Sequence, residues 1–462
     1  MGDARGFSGL PAALVCLAAC SSAPVQAASD AGPSDAPLAF EGSVPDAAPP
    51  PSDSEKLDAL VAALRGAVTE DARDALFAAF AQDVAYGAGG FPIREQGTVT
   101  FVHWDQERRG GPWSVAGDFD AWSTTAVPMT RPVPTAPLWI ARVPDPMPAG
   151  RSLYKYVRAG KDFVADPWAR RYGFDGFGEF SLLEAGPSPG HLERWPAFGE
   201  KRGSLRARTI SVWVPPGYDA KSPAGYPVLV MHDGQNLFGP GAGHGSWHVD
   251  DAAEQGVSSG TLRPFLVVAI ANSPRRFDEY THVEDAIPNL GTYGGSADEY
   301  ATFLVEGVVP FVRARYRART EAAETAILGS SLGGLVSLYV ARKYPTVFGV
   351  AGSMSGTLAW GKIGLSNPTI HDLYVQSAPK GLRLYVDSGG SDGGGCGTLS
   401  HLESELWFDQ YCESRAFRDM LVGKGWTLGV DLFYAWTPSA PHDEAAWAAR
   451  LPAALAGWFP RK

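Results

Sequence analysis

A chain of 462 residues exceeds what a single hydrophobic core fills, because cores stop growing at roughly 250 to 300 residues, so two or more folded units are expected. Hydrophobic residues make up 45% and charged residues 19%, with 14 Trp, which excludes an intrinsically disordered chain. The net charge of −11 and the lack of a long basic run leave no electrostatic footprint for a phosphate backbone, so nucleic acid is excluded as a partner.

The first residues read as an address. Leu10 to Ala19 is a short apolar stretch ending in Leu17-Ala18-Ala19-Cys20, followed by Ser21, and that tetrapeptide resembles a bacterial lipobox. The resemblance implies a lipoprotein signal over 1–20, with Cys20 bearing the lipid and the protein held at the bacterial cell envelope as an outer-membrane lipoprotein. A plainly secreted protein is the alternative. No other stretch approaches the ~20 apolar residues of a membrane span, so membrane contact is expected through a lipid anchor alone. Residues 21–53, rich in Ala, Pro, Ser, Asp and Gly, read as a disordered linker. Over 54–94, apolar residues at helical spacing (Leu57, Leu60, Val61, Leu64, then Leu76, Phe77, Phe80) predict a helical hairpin that Gly87 to Gly90 stops.

Between 95 and 186 the pattern changes to short β-rich runs, Thr98 to Val102, Trp139 to Val143 and Leu153 to Val157, separated by Gly and Pro turns. They predict a small all-β sandwich. Val115 to Trp122 (VAGDFDAW), Tyr154 to Val157 and Ala165-Asp166-Pro167 resemble carbohydrate-binding module family 48 and related early-set domains, implying an immunoglobulin-like sandwich and possible glycan contact. Trp113, Trp122 and Trp139 are the candidate stacking platforms, with a core role as the alternative.

After a Gly/Pro-rich joint at 186 to 190, strands alternate with helices through 190–462, which predicts an α/β unit with a doubly wound, mostly parallel sheet. The strand candidates are 209–214, 227–231, 265–270, 325–328, 382–386 and 430–434, with helices over 298–316, directly after Ser331, and over 402–422. Gly329-Ser330-Ser331-Leu332-Gly333 falls on the strand-to-helix turn where a nucleophilic serine is lifted clear of a sheet, so Ser331 is the candidate nucleophile. A serine hydroxyl needs a base, and the base needs an acid to hold its tautomer. His442, between the last strand and the last helix, is the candidate base. His371 comes too early, and His401 opens a predicted helix. The acid is Asp392 in the loop beyond the sixth strand, with Asp387 and Glu403 as alternatives. Two backbone NH groups must receive the oxyanion: those of Leu332 and, in the loop after the second strand of this half, Gln235.

His232, Asp233, Asn236, Trp247 and Tyr280 are candidate substrate-binding residues. A metal reading of His232, Asp233, His244 and His248 matches no recognised ligand spacing, so no metal and no cofactor are expected. Once Cys16 and Cys20 are set aside, Cys396 and Cys412 remain; an oxidising compartment suggests a disulfide between them, with two separate buried thiols as the alternative.

The stretches His232 to Phe238 (HDGQNLF), Arg275 to Tyr280 (RRFDEY), Gly329 to Leu335 (GSSLGGL) and His442 to Trp447 (HDEAAW) resemble the esterase family that includes enterochelin esterases, esterase D and feruloyl or acetylxylan esterases. That resemblance implies an α/β-hydrolase fold, a serine carboxylic ester hydrolase working through an acyl-enzyme, and a triad of Ser331, His442 and Asp392. A small-molecule or oligosaccharide ester is the expected substrate, with feruloyl or acetyl esters of glycans foremost. The alternatives are a siderophore trilactone, acyl transfer, or a non-catalytic glycan-binding surface lipoprotein.

Overall fold

The computed structural model describes residues 50–145, 152–184, 190–199, 205–241, 243, 245–390, 396 and 410–461. Cys20, His244, Asp392, His401 and Glu403 lie outside the described residues, as does the first half of the expected 402–422 helix.

Local capping starts the first helices. The Ser52 hydroxyl accepts from the Glu55 NH while the Glu55 carboxylate accepts from the Ser52 NH, opening α1 (Asp53–Gly66). Thr69 caps α2 (Glu70–Tyr86). The pair buries Leu57, Leu64, Phe77 and Val84 against Val102, Trp104 and Ile140 of the following strands, with Phe77 stacked on Trp104 at 4.5 Å. Helices this short gain their stability from that burial and not from propensity.

Nine strands follow. β1 (Ile93–Glu95), β2 (Thr98–Trp104) and β5 (Leu138–Pro144) make one antiparallel sheet. β3 (Trp113–Gly117), β4 (Val127–Pro128), β6 (Ser152–Arg158), β7 (Asp162–Val164), β8 (Arg171–Asp175) and β9 (Gly178–Glu184) make the facing one. Val99 and Phe101 of the first meet Trp113, Val115, Tyr154 and Tyr156 of the second. Trp113 is 1% exposed, which revises its role from platform to core. Trp139 is half-buried beside Gly111, and Trp122 donates its ring NH to Asp118. Asp166, fully buried, accepts from the hydroxyls of both Tyr154 and Tyr156 at 2.7 and 3.0 Å, so these motif residues lock the interior.

The second sheet does not end at the sandwich. β10 (His191–Phe198) pairs with β8 on one side and with β11 (Arg208–Val214) on the other, and the ladder continues through the whole C-terminal half. The remaining strands are β12 (Val228–Met231), β13 (Leu266–Ile270), β16 (Thr325–Ser330), β17 (Val350–Met354), β18 (Arg383–Ser388) and β19 (Leu432–Trp436), with β14 (Glu284–Ile287) and β15 (Gly291–Gly294) as a separate hairpin. The order β19-β18-β17-β16-β12-β13-β11-β10-β8-β9-β6-β3-β4 makes one 14-stranded sheet, β7 included, in which β12, β13, β16, β17, β18 and β19 run parallel. Of the expected joint at 186–190 only Gly190 lies among the described residues; the strands on either side of it, β9 and β10, belong to one sheet, and 51–462 packs as one compact unit.

Helices cover both faces, as strands buried on two sides require. α5 (Ala297–Thr302), α6 (Val309–Arg315), α7 (Leu332–Lys343), α8 (Ile370–Gln376) and α9 (Tyr411–Gly423) pack on the face of Ile210, Val212 and Ile327. α3 (Val249–Ser258) and α10 (Glu444–Trp458) pack on the face of Trp213, Ala326 and Leu328. The expected 298–316 helix is interrupted by a wider π turn at Phe303–Val308, because Pro310 has no NH to offer the preceding turn. Among the described residues no helix is long and apolar enough to cross a membrane.

Candidate active site

Ser331 follows β16 directly and precedes α7, with φ 53° and ψ −125°, a region an L-residue occupies only under constraint. The constraint is close packing: a Cβ on Gly329 would sit 2.6 Å from the Gly333 carbonyl carbon, and one on Gly333 would meet the Asp233 carboxylate at 3.3 Å. Gly334 and Leu335 donate to the Ser331 carbonyl, so the Leu332 NH belongs to the first turn of α7, where helix geometry supplies no acceptor. The Ser331 hydroxyl lies 3.3 Å from that of Thr357, whose NH also donates to the Ser331 carbonyl. Thr357 is a neighbour the sequence did not disclose; its one sequence signal is a place just after β17.

The other candidates cluster at the same ends of the parallel strands. After β12, Asp233 adopts a left-handed conformation and leads into a tight turn over Gly234–Asn236. The Gln235 side chain accepts from the Asn272 NH at 3.1 Å, which fixes the turn against the segment after β13. Asp233 holds a bidentate pair with Arg276 of α4 (Arg276–Glu279) at 2.7 and 2.9 Å. Burial works against its charge, but Arg276 prevails and holds the carboxyl below its usual range. Asn236 donates to Glu444 at 3.0 Å, tying this turn to the head of α10.

His442 stands two residues before that helix, its ring edge-on to Trp447 at 5.0 Å. Burial first, then the nearby Arg276 and Arg450 guanidiniums, push it down to about 4, which favours a neutral imidazole at pH 7. Arg276 thereby relates His442 to Asp233 and, through Gly333, to the Ser331 turn.

Asp387, the alternative acid, is fully buried and engaged elsewhere. Its Oδ1 accepts from the Ser355 NH at 3.2 Å, and its Oδ2 accepts from the Tyr385 hydroxyl at 2.9 Å and pairs with Arg450 of α10 at 3.1 Å. Those bonds tie β18 to α10. Cys396 and Cys412 form a disulfide with Cα atoms 5.5 Å apart, clipping the chain beyond β18 to the start of α9.

The expected substrate-binding set divides. Tyr280 and His232 are 0% and 1% exposed. The Tyr280 hydroxyl accepts from the Asp233 NH, and His232 Nδ1 lies 2.9 Å from the Tyr300 hydroxyl, so both brace the turn from beneath and present no surface to a substrate. Trp247 is 3% exposed and packs at 5.6 Å on Trp447 in the core under α10, which revises its role likewise. Asp233 and Asn236 are taken up by Arg276 and Glu444. His248 is exposed and pairs with Asp251. A fully buried bidentate pair, Arg208–Glu279 at 2.8 and 3.0 Å, anchors α4 to β11 and gives the Arg275 to Tyr280 motif its structural role.

Residues 205–458, more than half of the chain, match the family described as "Putative esterase". The chain belongs to that family. As a member it is a carboxylic ester hydrolase. The esterase is 27% identical over 188 residues to the uncharacterized protein YbbA of Bacillus subtilis, covering 40% of this chain and 69% of that one. It is 24% identical over 175 residues to an endo-1,4-beta-xylanase/feruloyl esterase of Xylanibacter ruminicola, covering 36% of this chain but 22% of that longer protein. Among solved structures it is similar to the ferric enterobactin esterase of Salmonella typhimurium, with a TM-score of 0.43 and 17% identity over 81% of this chain and 97% of that one.

Proposed function

We propose that the esterase hydrolyses esters of carbohydrates, feruloyl or acetyl, through an acyl-enzyme on Ser331. The observation that carries this reading is the strained Ser331 turn at the head of α7. His442, neutral at pH 7, takes the Ser331 proton as Oγ bonds to the substrate carbonyl carbon, while Asp392 holds the imidazole in the required tautomer. The oxyanion is received by the NH groups of Leu332 and Gln235. His442 then protonates the departing alcohol, and water attacking by the reverse route frees the acid and restores Ser331. Asp387 is less suited to the acid role, because Arg450, Tyr385 and Ser355 already engage it. The Cys396–Cys412 disulfide supports an oxidising compartment, in keeping with a lipid anchor on Cys20 and a place in the cell envelope.

The test is labelling by a fluorophosphonate probe, compared between wild type and Ser331→Ala, with a panel of feruloyl, acetyl, short aryl and catecholate-lactone esters. Wild-type labelling that vanishes in the variant is the expected result. An unlabelled wild type refutes the serine mechanism, turnover of the lactone alone refutes the carbohydrate reading, and product partitioning to an added sugar acceptor identifies acyl transfer.

A further inference from the structure

A cavity of about 340 Å³ lies where the two halves of the sheet meet, with Gly234 and Gln235 of the candidate oxyanion turn in its wall. Its floor is one face of the continuous sheet. Ser211 of β11 pairs with Ala269 of β13 and with Arg194 of β10, and Tyr172 of β8 pairs with Leu192, two residues from Arg194, so these side chains emerge on the same side. The roof is the chain from Gly234 to Gly241, pressed so close that a side chain at Gly239 would overlap the ring of Phe174. Neither half makes this cavity alone.

Its chemistry is neutral overall and rich in fixed polar groups. Arg194 donates to Glu179 at 2.8 Å and lies 3.9 Å from the Tyr172 ring centroid, while the Tyr172 hydroxyl donates to Ser211 at 2.7 Å. Thr209 adds a hydroxyl, and Phe174 and Phe238 add aromatic surface. A net anion would meet Glu179 and a net cation Arg194, and a purely apolar ring would leave unused the hydrogen-bonding capacity that Arg194, Glu179 and the lining hydroxyls keep beyond the bonds they make to one another. A ring with apolar faces and a rim of hydroxyls that both donate and accept suits such a lining. The volume lies in the range of small-ligand sites.

We propose that this seam cavity is a sugar-ring subsite, through which the N-terminal sheet sets the specificity of the esterase. The assignment rests on the carbohydrate-ester reading above for its link to turnover, while the binding of a sugar ring stands apart from it.

Ala271→Leu fills the cavity from β13's end, and Thr209→Val removes a lining hydroxyl at nearly constant volume. Two readouts are taken on both variants, with melting temperatures to verify folding. The first is the ratio of kcat/KM for an acetylated or feruloylated pentoside to that for an aryl ester of the same acid. The second is saturation-transfer NMR of the free methyl pentoside on the full protein. The ratio is expected to fall about tenfold or more in Ala271→Leu and less in Thr209→Val, and the saturation-transfer signal of the pentoside to vanish in the first. An unchanged ratio together with an unchanged saturation-transfer signal overturns the subsite, as does an equal loss on both esters, which marks a general disturbance of the turn. Sensitivity confined to a catecholate ester overturns it too. If the wild type cleaves no ester yet holds the pentoside in a manner Ala271→Leu abolishes, the subsite stands and the esterase reading falls.

Discussion

At φ 53° and ψ −125°, Ser331 carries a side chain where the backbone prefers none, a strain of order 1–3 kcal/mol. Glycine adopts this conformation freely, so Ser331→Gly is expected to raise stability by about 1 kcal/mol while abolishing hydrolysis, and Ser331→Ala to abolish hydrolysis without the gain. Urea denaturation of the three proteins decides it; a Gly variant no more stable than the Ala one would mean the turn is relaxed. His442 gives a second residue-level expectation. A base must be neutral to accept a proton, and burial with Arg276 and Arg450 nearby keeps this one neutral down to about 4. The acid limb of kcat/KM is therefore expected below the free-imidazole value of about 6.5, with the Asp392 carboxylate of the proposed triad working against the shift, and a limb above 6.5 would contradict this buried, arginine-flanked setting for the base. The strand-to-helix turn at Ser331 was legible because strand, glycine spacing and helix are all local. Tyr280 was legible as part of a motif but not as a buried brace, since a hydroxyl that receives the Asp233 NH from 47 residues away leaves no local pattern.

Among the elements, β18, the loop after β17 and Cys396 are held by devices that differ in how visible they are in sequence. The Cys396–Cys412 bridge was readable from a count of four cysteines with two accounted for. The Asp387–Arg450 pair was not, since nothing around either residue marks the other. The same is true of Asp285 in β14, whose buried carboxylate accepts from the NH groups of Gly361, Ile363, Gly364 and Leu365 at 2.6 to 3.0 Å and so pins the loop after β17. Replacing both cysteines by Ser is expected to lower stability by about 3 kcal/mol for a separation of 16 residues. If Asp392 is the acid, kcat also falls under conditions where the variant remains folded. Calorimetry and steady-state kinetics below the melting temperature separate the two effects, and an unaltered kcat would detach the bridge from the acid loop.

The whole molecule differs most from its linear reading. A composition change and a Gly/Pro-rich joint at 186–190 suggested separable units, but pairing between β8 and β10 is a long-range choice that local pattern does not encode. The doubly wound half was legible, because alternating strands and helices constrain it strongly. Its fusion to the preceding sheet was not. The full chain is expected to melt in one transition. A fragment of 190–462, with the bare β10 edge and the open seam, is expected to aggregate or melt well below it. Two resolved calorimetric transitions in the full chain, or a fragment as stable as the whole, would contradict this coupling. Among the described residues the ladder runs from β8 through β10 to β11 without a break, so turning one half of the sheet against the other would cost the hydrogen bonds of that ladder. Substrate binding is accordingly expected to orient the ester on a preformed seam, with little rotation of the N-terminal strands.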